Sequence, residues 1–569
     1  MDHHTGGDAV VDVLEQAGVE VVFGIPSVHN LPIYDAIRRR GTIRAITVRH
    51  EQGAAGAADG YARVTGKLGV FITSTGPGAA NAMGGLLEAL VSGSPVLHLT
   101  GQVETEFLDG GRGFIHEVPH QPEMLGSLSK AVHRAETSDA IASVVASAIS
   151  QALSAPRGPV SVELPIDLQY DEATPVPDAE VARILAPAEV PLPDPVDLSR
   201  AIELVQASCR PLVWAGGGVV SSGAEADVAE LVHRLGAGLL TSPNGRGVLS
   251  EDDPSCIGNL SWDPDVRALC ADADVLVAVG TRYQGPNTEN WKMPLPGTIV
   301  QIDVVPERSA LNYEATVAVR GDAAAVVRAM LAGLDDERLG VEEGWPERVA
   351  GAAGAARSRL RHVIGAQEGL LDELSTAIGP DVVVVKDATI PAYTWGNRLL
   401  PVVRSRAAVM PNGFAIGLGI AHALGAGAAA VMAAGTGHAH PVVLMAGDGG
   451  VMLAISELAT LAAEQLPVVV IVFCDGGYGI LRNIQDKQYG EDDGRIGVEL
   501  GAPDFVALAG ALGVGGTRVS TTAEFGKAVR EALRGPGPHL VEVDLNAIGP
   551  MSRPYTGTSR PPKGLTTAN

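Results

Sequence analysis

The stretch "MAGDGGVMLAISELATLAAEQLPVVVIVFCDGGYG", Met445 to Gly479, holds two apolar strand patterns, each running into an acidic glycine turn, with a helical pattern between them. The first strand ends at Ala446, and Gly447-Asp448-Gly449-Gly450 opens a helix whose N-terminal amides can cradle phosphate. The second, "PVVVIVF", delivers Cys474-Asp475-Gly476-Gly477. As parallel neighbours, the two strands put Asp448 and Asp475 side by side at the carboxyl edge of one sheet, where such sheets bind ligands. Two carboxylates and a turn carbonyl there suit a hard, octahedral Mg²⁺ that also holds a diphosphate. The competing reading makes Asp448 a helix cap and Asp475 a turn residue, without metal. The pairing of the two turns favours the metal.

The same alternation extends in both directions along the chain. "VEVVFGIP", "IRAITVRH", "LGVFITST", "SPVLHLTG" and "GPVSVELPID" are short β-branched runs ending near Gly, Pro, Ser or Thr, as strands buried on both faces of a parallel sheet should be. A second set comprises "PLVWAGGGVV", "GAGLLTSP", "ADVLVAVGTR" and "GTIVQIDVV", and a third begins at "VVVVKDAT" and ends at "PHLVEVDL". The expected architecture is α/β, with three doubly wound parallel-sheet domains in series at 1–175, 190–335 and 365–548 and a C-terminal tail at 549–569. The proline-rich stretch from Tyr170 reads as a linker over the surface, and Glu337 to Ala366 as a helical connector. At 569 residues, the length fits several domains of ~150 residues each.

Charge narrows the function. With 41 basic against 66 acidic residues the net charge is −25, which argues against non-specific binding to nucleic acid or an anionic membrane. Cys209, Cys256, Cys270 and Cys474 lack the close pairs of zinc or redox sites and read as reduced thiols of a cytoplasmic protein. No signal peptide is read at the N-terminus, and the Ala- and Gly-rich tract from Ala421 is too short to span a bilayer.

"RHEQGAAGAADGYARVTGKLGV" and "STGPGAANAM", taken with the paired acidic turns, resemble the thiamine-diphosphate-dependent enzymes of the acetolactate synthase and 2-oxo acid decarboxylase group. The likeness runs from "VFGIPSVHNLPIYDAI" through "LVEVDL" and implies pyrimidine-binding, central nucleotide-fold and diphosphate-binding domains, in that order. It makes Asp448, Asp475 and the Gly477 carbonyl ligands of Mg²⁺, although Cys474-Asp475 stands where the family usually has Asn-Asn. Glu51 falls on the catalytic glutamate, which hydrogen-bonds the aminopyrimidine ring so that the thiazolium C2 proton can be removed. The bland reading of Glu51 is a first-turn charge on a helix dipole, worth at most about 1 kcal/mol.

Further thiamine diphosphate contacts carry over to Pro26, Gly76, Asn81, Phe414, Ile416, Gly447, Gly449, Gly450, Tyr478, Gly479 and Ile480, with Ile416 beneath the cofactor. The Asp387-Ala388-Thr389 turn is expected to offer amides and a hydroxyl to the diphosphate. In "GGRGFIHEVPHQPEML" the Phe-Gln-Glu of acetolactate synthases is replaced by Ile115-His116-Glu117, so His116, His120 and Gln121 become the substrate-side candidates. That loop is similar to the one in 5-guanidino-2-oxopentanoate decarboxylase-like enzymes. The implied reaction is decarboxylation of a small-molecule 2-oxo acid through a cofactor-bound enamine, which is then protonated to an aldehyde or joined to a second carbonyl compound. A flavin (FAD) could follow from the likeness of "GGGVV" and "NGRGVLSEDDP" to the flavin region of acetolactate synthases, but it is not predicted. The resemblance also implies a homodimer or homotetramer with active sites between subunits. The rival class is a non-catalytic homologue kept for binding or regulation.

Overall fold

The computed structural model describes residues 3–190, 192–434, 440–490, 495–501 and 503–557. The last residues of the expected tail, 558–569, lie outside the described residues. Continuous Val- and Ile-rich runs become the central strands of three six-stranded parallel sheets.

The first sheet comprises β1 (Val21–Gly24), β2 (Arg44–Thr47), β3 (Gly69–Thr73), β4 (Val96–Gln102), β5 (Ala131–Arg134) and β6 (Val160–Pro165), in the order β2-β1-β3-β4-β6-β5. The second holds β7 (Pro211–Ala215), β8 (Gly238–Thr241), β9 (Cys256–Gly258), β10 (Val275–Val279), β11 (Thr298–Asp303) and β12 (Val317–Arg320), in the order β12-β11-β10-β7-β8-β9. This is the doubly wound order of dinucleotide-binding folds. The third, with β13 (Val383–Lys386), β14 (Ala408–Val409), β15 (Val442–Gly447), β16 (Val468–Cys474), β17 (Gly515–Val519) and β18 (His539–Asp544), runs β14-β13-β15-β16-β18-β17. That repeats the order of the first sheet strand for strand.

Sequence patterning misses β5, β9, β12, β14 and β17, and all five are edge strands. An edge strand pairs on one side only, and four of these five keep residues partly or fully in solvent, so a continuous apolar run is not required of them. The proline-rich stretch is a second correction. It contains the helix Asp178–Leu185, which buries Val181 in the first domain's core. Three apolar residues at helical spacing, Val181, Ile184 and Leu185, outweigh the flanking prolines. Among the described residues no helix is long and apolar enough to cross a membrane.

The first and third sheets are joined through two topologically equivalent helices, Glu51–Thr65 and Gly419–Met432, each following the second strand of its sheet and preceding the third. Both carry Ala and Gly where they touch, and their side chains share one apolar core. A Cβ on Gly60 would lie 2.4 Å from the His422 carbonyl oxygen, and one on Gly425 would lie 1.9 Å from that of Ala57. At such separations only glycine fits. Gly425→Ala is expected to destabilise the protein by roughly 1–3 kcal/mol, the usual cost of overpacking. Gly354→Ala, in the helix Trp345–Ile364 with nothing near its would-be Cβ, is expected to be neutral or to stabilise by up to ~1 kcal/mol. Chemical denaturation of the two variants side by side checks the contrast.

Candidate functional site

The strands β15 and β16 pair in register, Gly447 opposite Phe473, so their terminal turns adjoin. Asp448, the first residue of the helix Asp448–Met452, links them. Its Oδ1 accepts from the Gly449 amide at 2.7 Å, and its Oδ2 accepts from the amides of Gly476 at 2.8 Å and Asp475 at 3.2 Å. Asp475 accepts from the Gly477 amide at 3.3 Å and lies 3.6 Å from the Arg482 guanidinium. A Cβ at Gly479 would sit 2.2 Å from Asp475 Oδ2, so a larger residue there would have to move that carboxylate.

Burial raises the Asp448 carboxyl above the usual range. Burial and then the charge of Asp448 push Asp475 up to about 6. Arg482 is the cation beside Asp475, and it is shared with Glu499 at 2.9 Å. Two adjacent, part-buried carboxylates with one shared counter-cation are a donor set that a divalent ion would satisfy. Among the described residues no three His, Cys, Asp or Glu side chains form such a group, so a third protein ligand would be a main-chain oxygen such as that of Gly477.

A cavity of about 180 Å³ opens beside these turns. It is lined by Ala388, Thr389, Ile416, Gly447, Asp448, Gly449, Gly450, Asp475, Gly477, Tyr478, Gly479 and Ile480, among others. Asp387 corrects the sequence reading, because it lies beneath the cavity. Its amide donates to the Met445 carbonyl, and its carboxylate accepts from the amides of Ala388 at 2.6 Å, Gly417 at 3.0 Å and Gly419 at 3.1 Å. It therefore fixes the loop carrying Ile416 and has no free donor to offer a diphosphate. Phe414 is also outside the lining, half-exposed at φ +59° with its ring 6.2 Å from that of Tyr393.

Glu51 begins the helix Glu51–Thr65 at the carboxyl edge of the first sheet, with His50 as N-cap. Its Oε2 accepts from the Asn81 amide group at 3.0 Å, and a Cβ on Gly78 would lie 3.4 Å from its Oε1. Gly76 holds φ +58° where a Cβ would meet the His116 carbonyl at 2.4 Å. Pro26 is exposed in the loop after β1. Glu51 does not line the cavity beside Asp448 of its own chain.

Two substrate-side expectations are corrected. Gln121 is 1 % exposed and bonded on every side: its carbonyl accepts from the Gly76 amide and the Thr75 hydroxyl, and its amide group donates to Glu163. It braces the 76–78 turn. His120 has its side chain 83 % exposed and points to Glu123 on the surface. His116 is half-buried with its Nδ1 unpartnered.

Sequence reasoning missed two carboxylates that set the geometry. Glu457 Oε1 accepts from the amides of Arg49 and His50, both at 3.0 Å, and its Oε2 from the Thr460 hydroxyl at 2.7 Å. A residue of the third domain thus caps the helix that Glu51 begins. Glu88 of the first domain does the same in reverse, accepting from the amides of Asn412 and Gly413 ahead of Ile416. Their signal was an acid inside an otherwise apolar helical pattern, as in "SELATLAAEQL".

A larger cavity, about 400 Å³, lies in the central domain, lined by Gly217, Gly218, Asn244, Asp303, Arg308 and Asp322 among others. It occupies the crevice between β7 and β10, where strand order reverses.

Residues 4–124 match the model of the thiamine pyrophosphate enzyme N-terminal TPP binding domain, 198–330 the central domain and 392–543 the C-terminal TPP binding domain. Relatives include a probable 2-ketoarginine decarboxylase of Pseudomonas aeruginosa, 32 % identical over 95 % of this chain and 94 % of that one. A probable acetolactate synthase large subunit of Methanocaldococcus jannaschii is 29 % identical over 95 % and 92 %. The acetolactate synthase large subunit of Parasynechococcus marenigrum is 30 % identical over 95 % and 87 %.

Glu457→Ala leaves two part-buried amides and a buried hydroxyl unpaired and is expected to cost about 1–3 kcal/mol. Glu457→Gln keeps one oxygen acceptor and is expected to cost less. Unfolding midpoints in denaturant at constant slope measure the difference.

Proposed function

Because the chain belongs to the thiamine pyrophosphate enzyme family, we propose that it binds thiamine diphosphate with Mg²⁺ and decarboxylates a 2-oxo acid, releasing the acyl unit as an aldehyde or joining it to a second carbonyl compound. The observation that carries this reading is the pair of adjoining turns, in which Asp448 spans to the amides of Asp475 and Gly476 beside a cavity lined by Ile416, Thr389 and Tyr478. When bound, the cofactor supplies a nucleophilic carbon and takes up the electron pair released with CO₂.

The rest of the chemistry belongs to the chain. Asp448, Asp475 and the Gly477 carbonyl would hold the metal, and the Gly450 main chain with the Thr389 hydroxyl would face the diphosphate. Ile416 would support the ring system from below. Glu51, steadied by Asn81 at 3.0 Å, would hold a proton at a pyrimidine nitrogen. Since Glu51 does not line the Asp448 cavity of its own chain, a site using both is completed by a second copy, which supports a homodimer or a tetramer of such pairs. A non-catalytic role fits poorly with a chain that keeps the glutamate, both carboxylates and the lined cavity.

The relatives' names set the substrate panel: pyruvate, longer 2-oxo acids and a guanidino-bearing 2-oxo acid. Separating aldehydes from hydroxyketones and acetohydroxy acids after incubation with cofactor and Mg²⁺ identifies the reaction, and absence of CO₂ release from the whole panel would overturn it. Glu51→Gln is expected to retain cofactor affinity by calorimetry while turnover falls ~100-fold or more, as for loss of a proton-transfer group. Asp448→Ala is expected to lose Mg²⁺-dependent cofactor retention, and full occupancy in that variant would place the metal elsewhere.

A further inference from the structure

A third cavity, about 60 Å³, lies where the three domains meet and shares no lining residue with the cavity beside Asp448. One water needs about 10–15 Å³ of such space, so there is room for roughly four to six, the bulk of a small tetrahedral ion. Four arginines line it: Arg63 and Arg157 from the first domain, Arg246 from the central domain and Arg406 from the third. Two of these are already matched by acids. Glu251 holds Arg246 through bonds of 2.7 and 2.6 Å, and Arg63 has the Asp59 and Glu88 carboxylates each at 3.8 Å.

Arg157 and Arg406 are part-buried and, among the described residues, neither is paired with a carboxylate. Their bonds go to main-chain oxygens: Arg157 donates to the Gly66 carbonyl at 3.5 Å, and Arg406 to the carbonyls of Arg63 at 3.3 Å and Val220 at 2.7 Å. Gly66, at φ +74°, ends the helix Glu51–Thr65, and a Cβ there would lie 2.9 Å from Arg406 Cζ. One glycine turn thus makes room for one guanidinium and receives the other. Arg406 itself stands at φ +62°, an uncommon backbone for a residue with a Cβ, and such strain gathers at functional sites. Arginine keeps its proton in proteins, so two like charges stay together here. Burial holds both guanidiniums below their ordinary range; Asp322 opposes it for Arg157 and Glu225 for Arg406, while the charge of Arg157 adds to the effect on Arg406.

We propose that this cavity binds one tetrahedral oxyanion of phosphate or sulfate size, with Arg157 and Arg406 as its charge partners. Planar guanidinium groups suit oxyanions, and the Ser92, Ser94, Ser221 and Asn244 side chains on the same wall add polar groups. Because Arg63 belongs to the helix that Glu51 begins, an anion held here clasps that helix to the central and third domains. The 400 Å³ cavity of the central domain adjoins it and shares Arg157 and Asn244. Arg282 and Arg308, however, line only the larger cavity, and Arg63 and Arg406 only the smaller. That division separates the two sites experimentally.

The test titrates inorganic phosphate into the full chain by calorimetry, with thiamine diphosphate and Mg²⁺ present to fill the turns at Asp448. One phosphate per chain is expected, displaced by sulfate. Arg406→Gln and Arg157→Gln are each expected to weaken it about tenfold or more, the loss of a charged hydrogen-bond partner, whereas Arg282→Gln changes it by less than about twofold. Arg157→Gln gives up only the 3.5 Å bond to Gly66, so it carries the test should Arg406→Gln fail to fold. The unfolding midpoint of the unaltered protein is expected to rise by roughly 2–4 °C at about five times the dissociation constant, and not in chloride of equal ionic strength. No saturable phosphate binding overturns the proposal. So does binding that Arg282→Gln abolishes and Arg406→Gln spares, which puts the anion in the larger cavity. Binding of a nucleoside diphosphate without binding of inorganic phosphate overturns it as well, because the arginines then serve one end of a larger ligand.

Discussion

The contact between the helices Glu51–Thr65 and Gly419–Met432 is the constraint on which the rest depends. Backbone approaches backbone at Gly60 and Gly425, and at the crossing the fully buried Asp59 carboxylate meets His422 at 2.9 Å, with Arg63 3.8 Å away. Asp59 has Arg63 as its cation on its own helix and the His422 ring as its polar neighbour on the other, so parting the helices would leave a buried carboxylate with one neighbour fewer. The first and third sheets share a strand order, and the crossing joins the equivalent helix of each. Glu457 and Glu88 are its matched outriggers, each reaching from one domain to cap the segment ahead of the other's helix. The segment that begins at Asp448 therefore also sets the start of the helix that bears Glu51.

That arrangement explains what the sequence disclosed. Strands buried on both faces must be apolar throughout, so the central strands of all three sheets stand out, and β15 pairs over its whole length with β16, Val442 opposite Val468 through Gly447 opposite Phe473. Edge strands such as β17, with residues 515 to 518 at least partly exposed, carry no such obligation and leave no pattern. The acidic turns were legible because glycine and aspartate at a strand end have few other uses. Side-chain direction was not. Asp387, Gln121 and Glu457 are all buried polar residues, and nothing in one dimension says that the first holds a loop, the second braces a turn and the third crosses to another domain.

The departure at Asp475 is answered in part by a residue seven positions on. An Asp in place of the family's usual Asn adds a negative charge beside Asp448, and in isolation this would raise the cost of holding both carboxylates ionised next to a diphosphate. Arg482, on the helix Gly479–Tyr489, sits 3.6 Å from Asp475 and also donates to its carbonyl at 3.3 Å. Glu499 holds that guanidinium through two hydrogen bonds of 2.9 Å, so its position is fixed by a bidentate pair and does not depend on Asp475 alone. Arg482 offsets only part of the extra charge, because Glu499 shares it and burial beside Asp448 still pushes Asp475 up to about 6. The two-turn geometry that carries the functional reading stays intact.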